Sequence, residues 1–258
     1  MLMRTDLEAE AIRIPIKGVA EDDGRSFWNR YYLERFHAMA TRLLCFQKLN
    51  EQIFSRVEVN PDAEVLELGC GSGRNIPLIL EAMGLSRGRG KVWAIDFNWP
   101  ALELANENLG DPENVVFKQD NIRQLSFKDG AFDALFDIFA GTYLPLKGWK
   151  LGVKEAFRVL KPGAYGYFLY FIHGKKFGDC FRSQVPAELF HNPVGLFWAL
   201  HLKLVRGLNI WDKFIEKGEV IYPSKDEFVA LIESNGGAVE IVERAFLGAC
   251  MFVKTKKI

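Results

Sequence analysis

The chain has 258 residues, 49% of them hydrophobic, enough for one α/β domain with a sizeable core and an insertion. Its 33 basic and 33 acidic side chains cancel, so no general basic surface calls for nucleic acid. The four cysteines, Cys45, Cys70, Cys180 and Cys250, form no C-x-x-C pair and point to reduced, buried thiols rather than a disulfide or zinc framework. Asp6, Glu8 and Glu10 interrupt the start, and no apolar run is long enough to span a bilayer. Neither a signal peptide nor a membrane span is expected, and a cytoplasmic location is.

Residues 1 to about 22 carry little pattern. From Phe27 to Phe54 the spacing predicts a helix with Leu33, Phe36, Ala40, Leu43 and Leu44 on its apolar side. The aromatic patch from Phe27 to Tyr32 lies on several faces at once, so part of it must cover something beyond its own helix. Pro61-Asp62 closes this lead-in, which divides the chain into a helical lid segment, 1–58, and a main domain, 59–258. Strand one begins at about Glu64 and ends at Leu68. Gly69-Cys70-Gly71-Ser72-Gly73 follows, and then a helix from Asn75 to about Met83. Strand, glycine turn and helix is the layout of a nucleotide site. Glycines suit it because a Cβ would obstruct close approach of a ligand to the backbone. The helix start behind them offers unpaired N–H groups to a carboxylate.

Lys91 to Asp96 reads as a second buried strand. An acid at that strand tip faces the ribose in nucleotide-binding sheets, so Asp96 is the strongest single ligand candidate, with Phe97 beside it as a platform for a base. A helix over 100–109 leads to strand three, 114–120, which ends in Asp120-Asn121-Ile122. Residues 129–139 supply a turn and strand four, with Asp137 at its far end. A helix over 149–160 is stopped by Lys161-Pro162-Gly163, and strand five covers 165–171. The stretch from His173 to about Tyr222 is too long for an ordinary loop and is predicted to be a cap, at about 172–222. Within it Leu196, Leu200, Leu204, Leu208, Trp211, Phe214 and Ile215 form a helical stripe, whose docking on the sheet domain is favoured over membrane contact. Ser224 and Glu227 form a capping-box pattern ahead of a last helix. Two strands, 238–244 and 249–254, close the chain. The fold class is therefore α/β: a doubly wound, mostly parallel seven-stranded sheet with an N-terminal helical segment and a cap between strands five and six.

A dinucleotide site wants G-x-G-x-x-G, whereas here Arg74 stands where the third glycine would be. Glu67, Gly69, Gly71 and Gly73 instead resemble the first motif, E/D-x-G-x-G-x-G, of the class I S-adenosylmethionine methyltransferases. Glu155 to Gly163 resembles the helix-to-strand turn before that family's fifth strand, and the tail from Tyr222 is similar to that of its quinone and small-lipid methyltransferases. The resemblance covers most of 64–163 and the tail. It implies a Rossmann-like sheet and S-adenosylmethionine as cofactor, leaving as S-adenosylhomocysteine. Glu67 would face the ammonium of the methionine end, while Gly69, Cys70, Gly71 and Gly73 would cradle that end. Asp96 would hold the ribose, Phe97 would pack on the adenine, and Asp120 with Asn121 and Ile122 would bind its edge. Asp137 would lie where the sulfonium methyl projects. Trp28 and Tyr32 match a W-x-x-x-Y pattern on a helix that closes over the cofactor in similar enzymes.

Methyl transfer is an in-line displacement that needs a positioned donor and acceptor in a dry site, and neither a triad nor a metal. An oxygen or nitrogen acceptor also needs a base; the candidates are His173 and Tyr143, followed by His191 and His201. Phe171, Phe177, Phe181, Phe190, Phe197 and Trp198 suggest an apolar pocket for a hydrophobic or amphipathic small molecule or lipid. Lys175, Lys176 and Arg182 are available to an acidic group. An RNA or protein methyltransferase is disfavoured by the neutral charge and the lack of an N/D-P-P-Y motif after strand four. A binding subunit of the same fold without catalysis stays open, and an NAD-dependent dehydrogenase is disfavoured by the glycine spacing.

Overall fold

The computed structural model describes residues 30–84, 89–172, 177–201, 221 and 223–258. Seven strands form one sheet in the order β3-β2-β1-β4-β5-β7-β6. They are β1 (Glu64–Leu68), β2 (Lys91–Asp96), β3 (Val115–Gln119), β4 (Phe132–Ile138), β5 (Leu160–Phe171), β6 (Gly237–Ala245) and β7 (Cys250–Lys257). The first five pair in parallel, and β7 runs antiparallel to both β5 and β6. Successive strands step outward from β1 to β3, after which the chain returns to place β4 on the other side of β1. The reversal leaves a crevice at the carboxyl ends of β1 and β4, where open α/β sheets take their ligands.

Helices cover both faces: α1 (Arg30–Arg42), α2 (Leu44–Phe54), α3 (Ile76–Ala82), α4 (Trp99–Leu109), α5 (Leu146–Val159), α6 (Phe177–His191), α7 (Pro193–His201) and α8 (Lys225–Ser234). Alternation along the strands divides the core. Val65, Ala134, Phe136, Ile138, Tyr167 and Leu169 meet Phe46, Leu49 and Ile53 of α2 on one face. Leu66, Leu135, Phe168 and Tyr170 meet Trp149, Val153 and Phe157 of α5 and Phe228 and Ile232 of α8 on the other. Ser224 closes the expected capping box on α8: its hydroxyl accepts the Glu227 N–H, and Glu227 accepts the Ser224 N–H. Cys45, Cys70 and Cys250 are buried.

Two segments differ from the sequence reading. Lys161-Pro162-Gly163 falls within the bounds of β5, which α5 enters at Leu160, but it leaves the regular ladder: Leu160 pairs with Phe132, the next pair is Ala134 with Tyr165, and Gly163 between them stands at φ 80°. The expected single helix over 27–54 is two helices, broken at Leu43, whose backbone is extended (φ −85°, ψ 135°) and whose side chain is buried. The break is held from the far end of the chain. Glu188 of α6, buried, accepts the Cys45 N–H at 2.9 Å, and Asn192 donates to the Arg42 carbonyl at 2.7 Å. Asn192 also donates to the second Glu188 oxygen at 3.1 Å. The orphan groups on both sides of a helix break thus find partners at the turn between α6 and α7. Phe27 and Trp28 of the aromatic patch, the loop 85–88 and most of the predicted stripe, 202–220, lie outside the described residues. Among the described residues no helix is long and apolar enough to cross a membrane.

Glu188→Ala leaves the Cys45 N–H unpaired in a buried place, so we expect a loss of about 1–3 kcal/mol in urea-denaturation stability. Glu188→Gln keeps an acceptor oxygen and should lose less.

Candidate functional site

The turn after β1 is built from three residues in the left-handed region: Gly69 (φ 61°), Gly71 (φ 55°) and Gly73 (φ 78°). Such φ values favour glycine, and at Gly69 space demands it as well. A Cβ there would sit 2.4 Å from the Cβ of Ala140, beyond the end of β4. The turn is tied to β2 by the Cys70 N–H, which donates to the Ile95 carbonyl at 2.9 Å. Asp96, at the tip of β2, accepts the Gly71 N–H at 3.0 Å and the Asn98 N–H at 2.9 Å. Helix α1 rests on this turn: Leu33 lies 3.8 Å from where a Gly71 Cβ would stand, and His37 Nδ1 is 2.9 Å from the Ser72 hydroxyl.

Behind the turn, Glu67 is almost fully buried and accepts a hydrogen bond from the Asn75 amide at 2.9 Å. Its other oxygen and the Asn75 carbonyl oxygen are buried with no partner among the described residues. Burial pushes the Glu67 carboxyl up to about 7, against the favourable pull of Asn75 and Arg74; Asp96 adds to the rise. Burial likewise lifts Asp96 to about 6, opposed by the N–H groups that it accepts. Two carboxylates on one face at neighbouring strand tips, both paying for desolvation, form the kind of perturbed pair that marks functional clefts.

The remaining predicted residues divide. Cys70 is buried and its thiol is raised well above its ordinary value by burial, then by Asp96 and Glu67. Phe97 is half-buried beside Asp96, and Ile122 is buried next to Gly69 and Gly152. Asp120 braces its own loop: one oxygen accepts the Asn121 N–H at 2.8 Å, and the other accepts the Ser126 N–H at 3.1 Å and hydroxyl at 2.6 Å. Asn121 in turn accepts from Arg123. Asp137 is not brought into the group with Glu67. It shares the sheet face of Leu135, where it accepts the Tyr170 hydroxyl and, at 2.9 Å, the Gly141 N–H. It therefore anchors the segment after β4. Within that segment Phe139 is a non-glycine residue at φ 72°, buried and stacked on Phe171 at 4.8 Å, a strained conformation that the packing holds in place.

Tyr143 follows on the short turn Gly141–Tyr143, half-buried against the α2 side of the core and close enough to Arg74 to influence its charge. His173, Lys175 and Lys176 lie outside the described residues, and His191 is exposed. The expected aromatic pocket lining is corrected in part. Phe171 belongs to the core, whereas Phe190 and Phe197 point outward, 82% and 64% exposed. With Leu189 and Val194 they form an apolar knob at the α6–α7 turn.

Three side chains of the site were not singled out from sequence. His37 reaches Ser72, and burial with Arg74 and Arg42 nearby lowers its pKa, favouring neutral imidazole. Asn75 holds Glu67. Arg74 is buried against the Phe36–Phe46 pair. His37 lies one helical turn from Leu33, on the inward stripe, and Arg74 occupies the place of an expected glycine; both signals were available.

A methyltransferase-domain family profile matches residues 65–163. The 2-methyl-6-phytyl-1,4-hydroquinone methyltransferase of a Synechocystis species is 31% identical over 134 residues, 52% of this chain and 38% of that protein. The chain thus spans well under two thirds of that relative's length. A Methanosarcina mazei S-adenosylmethionine-dependent methyltransferase superposes with a TM-score of 0.52 at 25% identity, covering 78% of this chain and 94% of its own. One from Aquifex aeolicus gives a TM-score of 0.54 at 19% identity, with coverages of 91% and 96%; this likeness speaks for the fold alone.

The raised carboxyl of Glu67 has a stability consequence. Between its ordinary value of 4.5 and its folded value of about 7 the native chain binds more protons than the unfolded one. The slope of unfolding free energy with pH is then negative, so Glu67 makes the unliganded protein less stable as pH rises across that window. Glu67→Gln should flatten this part of the Tm-versus-pH curve, measured calorimetrically without ligand.

Proposed function

Because the chain is built on the class I S-adenosylmethionine-dependent methyltransferase domain, we propose that it transfers a methyl group to a small hydrophobic or amphipathic acceptor. The observation that carries the cofactor side is the buried acidic pair, Glu67 and Asp96, bracketing a turn of left-handed glycines. The fit rests on that geometry. Glu67 Oε2 and Asn75 Oδ1 are buried acceptors in want of a donor, as an ammonium would be. Asp96 stands at the tip of β2, where a carboxylate can accept from paired hydroxyls once it exchanges the Gly71 N–H for them.

When bound, S-adenosylmethionine supplies a methyl group on a sulfonium, already activated for displacement. The chain's own part is to orient and to dry the site. The left-handed turn lets a ligand lie on backbone atoms, α1 covers that turn through Leu33 and His37, and Asp137 with Tyr170 fixes the segment after β4. Tyr143, at the end of that segment, is the proposed proton-transfer residue for an oxygen or nitrogen acceptor, with His173 the second candidate.

The acceptor class is supported from two directions. The Synechocystis relative is named for a prenylated hydroquinone. The outward knob of Leu189, Phe190, Val194 and Phe197 is an apolar surface such as a protein uses to meet lipid, which suits an acceptor dissolved in a membrane surface. Nucleic acid as acceptor is not supported by the balanced charge.

Calorimetric titration with S-adenosylhomocysteine should show binding that falls about 100-fold or more in Asp96→Ala, since hydrogen bonds to a charged group are lost. NAD should not bind. Unchanged affinity in the variant would remove Asp96 from the site. Methyl transfer from labelled S-adenosylmethionine should then be found among quinols, phenols and phospholipids. Sedimentation with lipid vesicles should weaken in the double variant Phe190→Ser, Phe197→Ser while S-adenosylhomocysteine affinity is kept.

A further inference from the structure

Arg74 is nine-tenths buried, yet among the described residues it forms no ion pair. Its one side-chain hydrogen bond there is to Asn50 Oδ1 at 3.4 Å, beyond the usual range for a firm N–H···O bond. Two rings that pack edge to face on each other at 6.0 Å lie together on one side of the guanidinium, Phe36 of α1 at 5.9 Å and Phe46 of α2 at 5.7 Å. Ring faces moderate the cost of burying a cation, but they leave the five N–H donors without an acceptor of full charge. Burial pulls the group down to about 10, with Glu67 and then Tyr143 opposing. A guanidinium is the side chain best shaped to grip a carboxylate, with two parallel hydrogen bonds.

The neighbours of Arg74 lack the opposite partner. Glu67 Oε2 and Asn75 Oδ1 are buried acceptors with nothing to accept from. Glu67 is close enough to attract Arg74, yet the two form no ion pair. One small region therefore holds an under-used cation beside two under-used acceptors. A ligand group that satisfies both must carry an anion and a cationic donor a bond or two apart, which is the description of an α-amino acid end. We infer that Arg74 and the Glu67–Asn75 pair bracket the zwitterionic end of the bound cofactor, Arg74 taking its carboxylate and Glu67 with Asn75 its ammonium.

The inference rests on the cofactor reading above and adds a residue and a charge pattern to it. The same guanidinium could instead serve a carboxylate on the methyl acceptor, and the test separates the two sources. Isothermal titration of the wild type and Arg74→Gln uses S-adenosylhomocysteine, which has the amino acid end, and 5′-methylthioadenosine, which lacks it. Arg74→Gln should lose about 10- to 100-fold in affinity for the first, the worth of a charged hydrogen-bonded contact, and stay within about twofold for the second, with partial recovery in Arg74→Lys. An equal loss for both ligands would make Arg74 a packing residue and overturn the inference. So would unchanged affinity for S-adenosylhomocysteine, including the case in which an acidic acceptor's KM rises. Should Arg74→Gln fail to fold, the wild type decides: it should bind the descarboxy analogue of S-adenosylhomocysteine at least tenfold more weakly than the parent, and equal affinity overturns the assignment. A wild type that binds 5′-methylthioadenosine and S-adenosylhomocysteine equally sinks this inference alone, whereas one that binds neither sinks the cofactor reading with it.

Discussion

The tips of β1 and β4 approach so closely that Gly69 has no room for a single methyl group against Ala140. Much else is arranged around that contact. The turn that leaves β1 must bend back in left-handed steps, which brings Gly71 under Asp96 and places Arg74 and Asn75 beside Glu67. On the other side, the chain leaving β4 is forced through Phe139 at positive φ and caught by Asp137 through the Gly141 N–H. Gly141 is itself constrained, because a Cβ there would fall 2.6 Å from the Tyr170 hydroxyl. Two strand ends, each stripped of side-chain bulk at one position, thus frame the crevice.

What occupies the frame is charged, and that is costly. Glu67, Arg74 and Asp96 are all largely removed from water, and burial is the leading cause of the shift in each. Buried charges of this kind work against stability. The surrounding sheet bears it: the aromatic and aliphatic layers on its two faces are extensive, and neither depends on the polar group at the strand tips. The division between a stable body and an expensive edge is what a binding site on an α/β sheet requires.

Sequence reading did best where the determinants are local. The bounds of β2, from Lys91 to Asp96, and the capping box at Ser224 follow from residues within a few positions of one another. The break at Leu43 was illegible because its cause lies in Glu188 and Asn192, some 145 positions away, and nothing in 27–54 announces it. Composition could identify Phe190 and Phe197 as aromatic but could not say whether they face a pocket or solvent. The orientation of Asp137 was legible in principle: it alternates with Phe136 and Ile138, so it had to face α5 if those two faced α2. Arg74 was seen only as a glycine that was missing, although a charged side chain at a ligand-binding turn needs a partner as much as it excludes one.

The pairing of the α6–α7 turn with the break between α1 and α2 bears on how such a protein could be re-engineered. Segments inserted after the fifth strand are attractive units to graft when a new specificity is wanted. Here a grafted segment would arrive without the carboxylate and amide that complete two other helices, and the host would be left with exposed seams in a region covering the glycine turn. The unit of exchange is therefore discontinuous: residues 30–54 and the α6–α7 region travel together, and a recombination library that cuts between them would sample mostly damaged hosts.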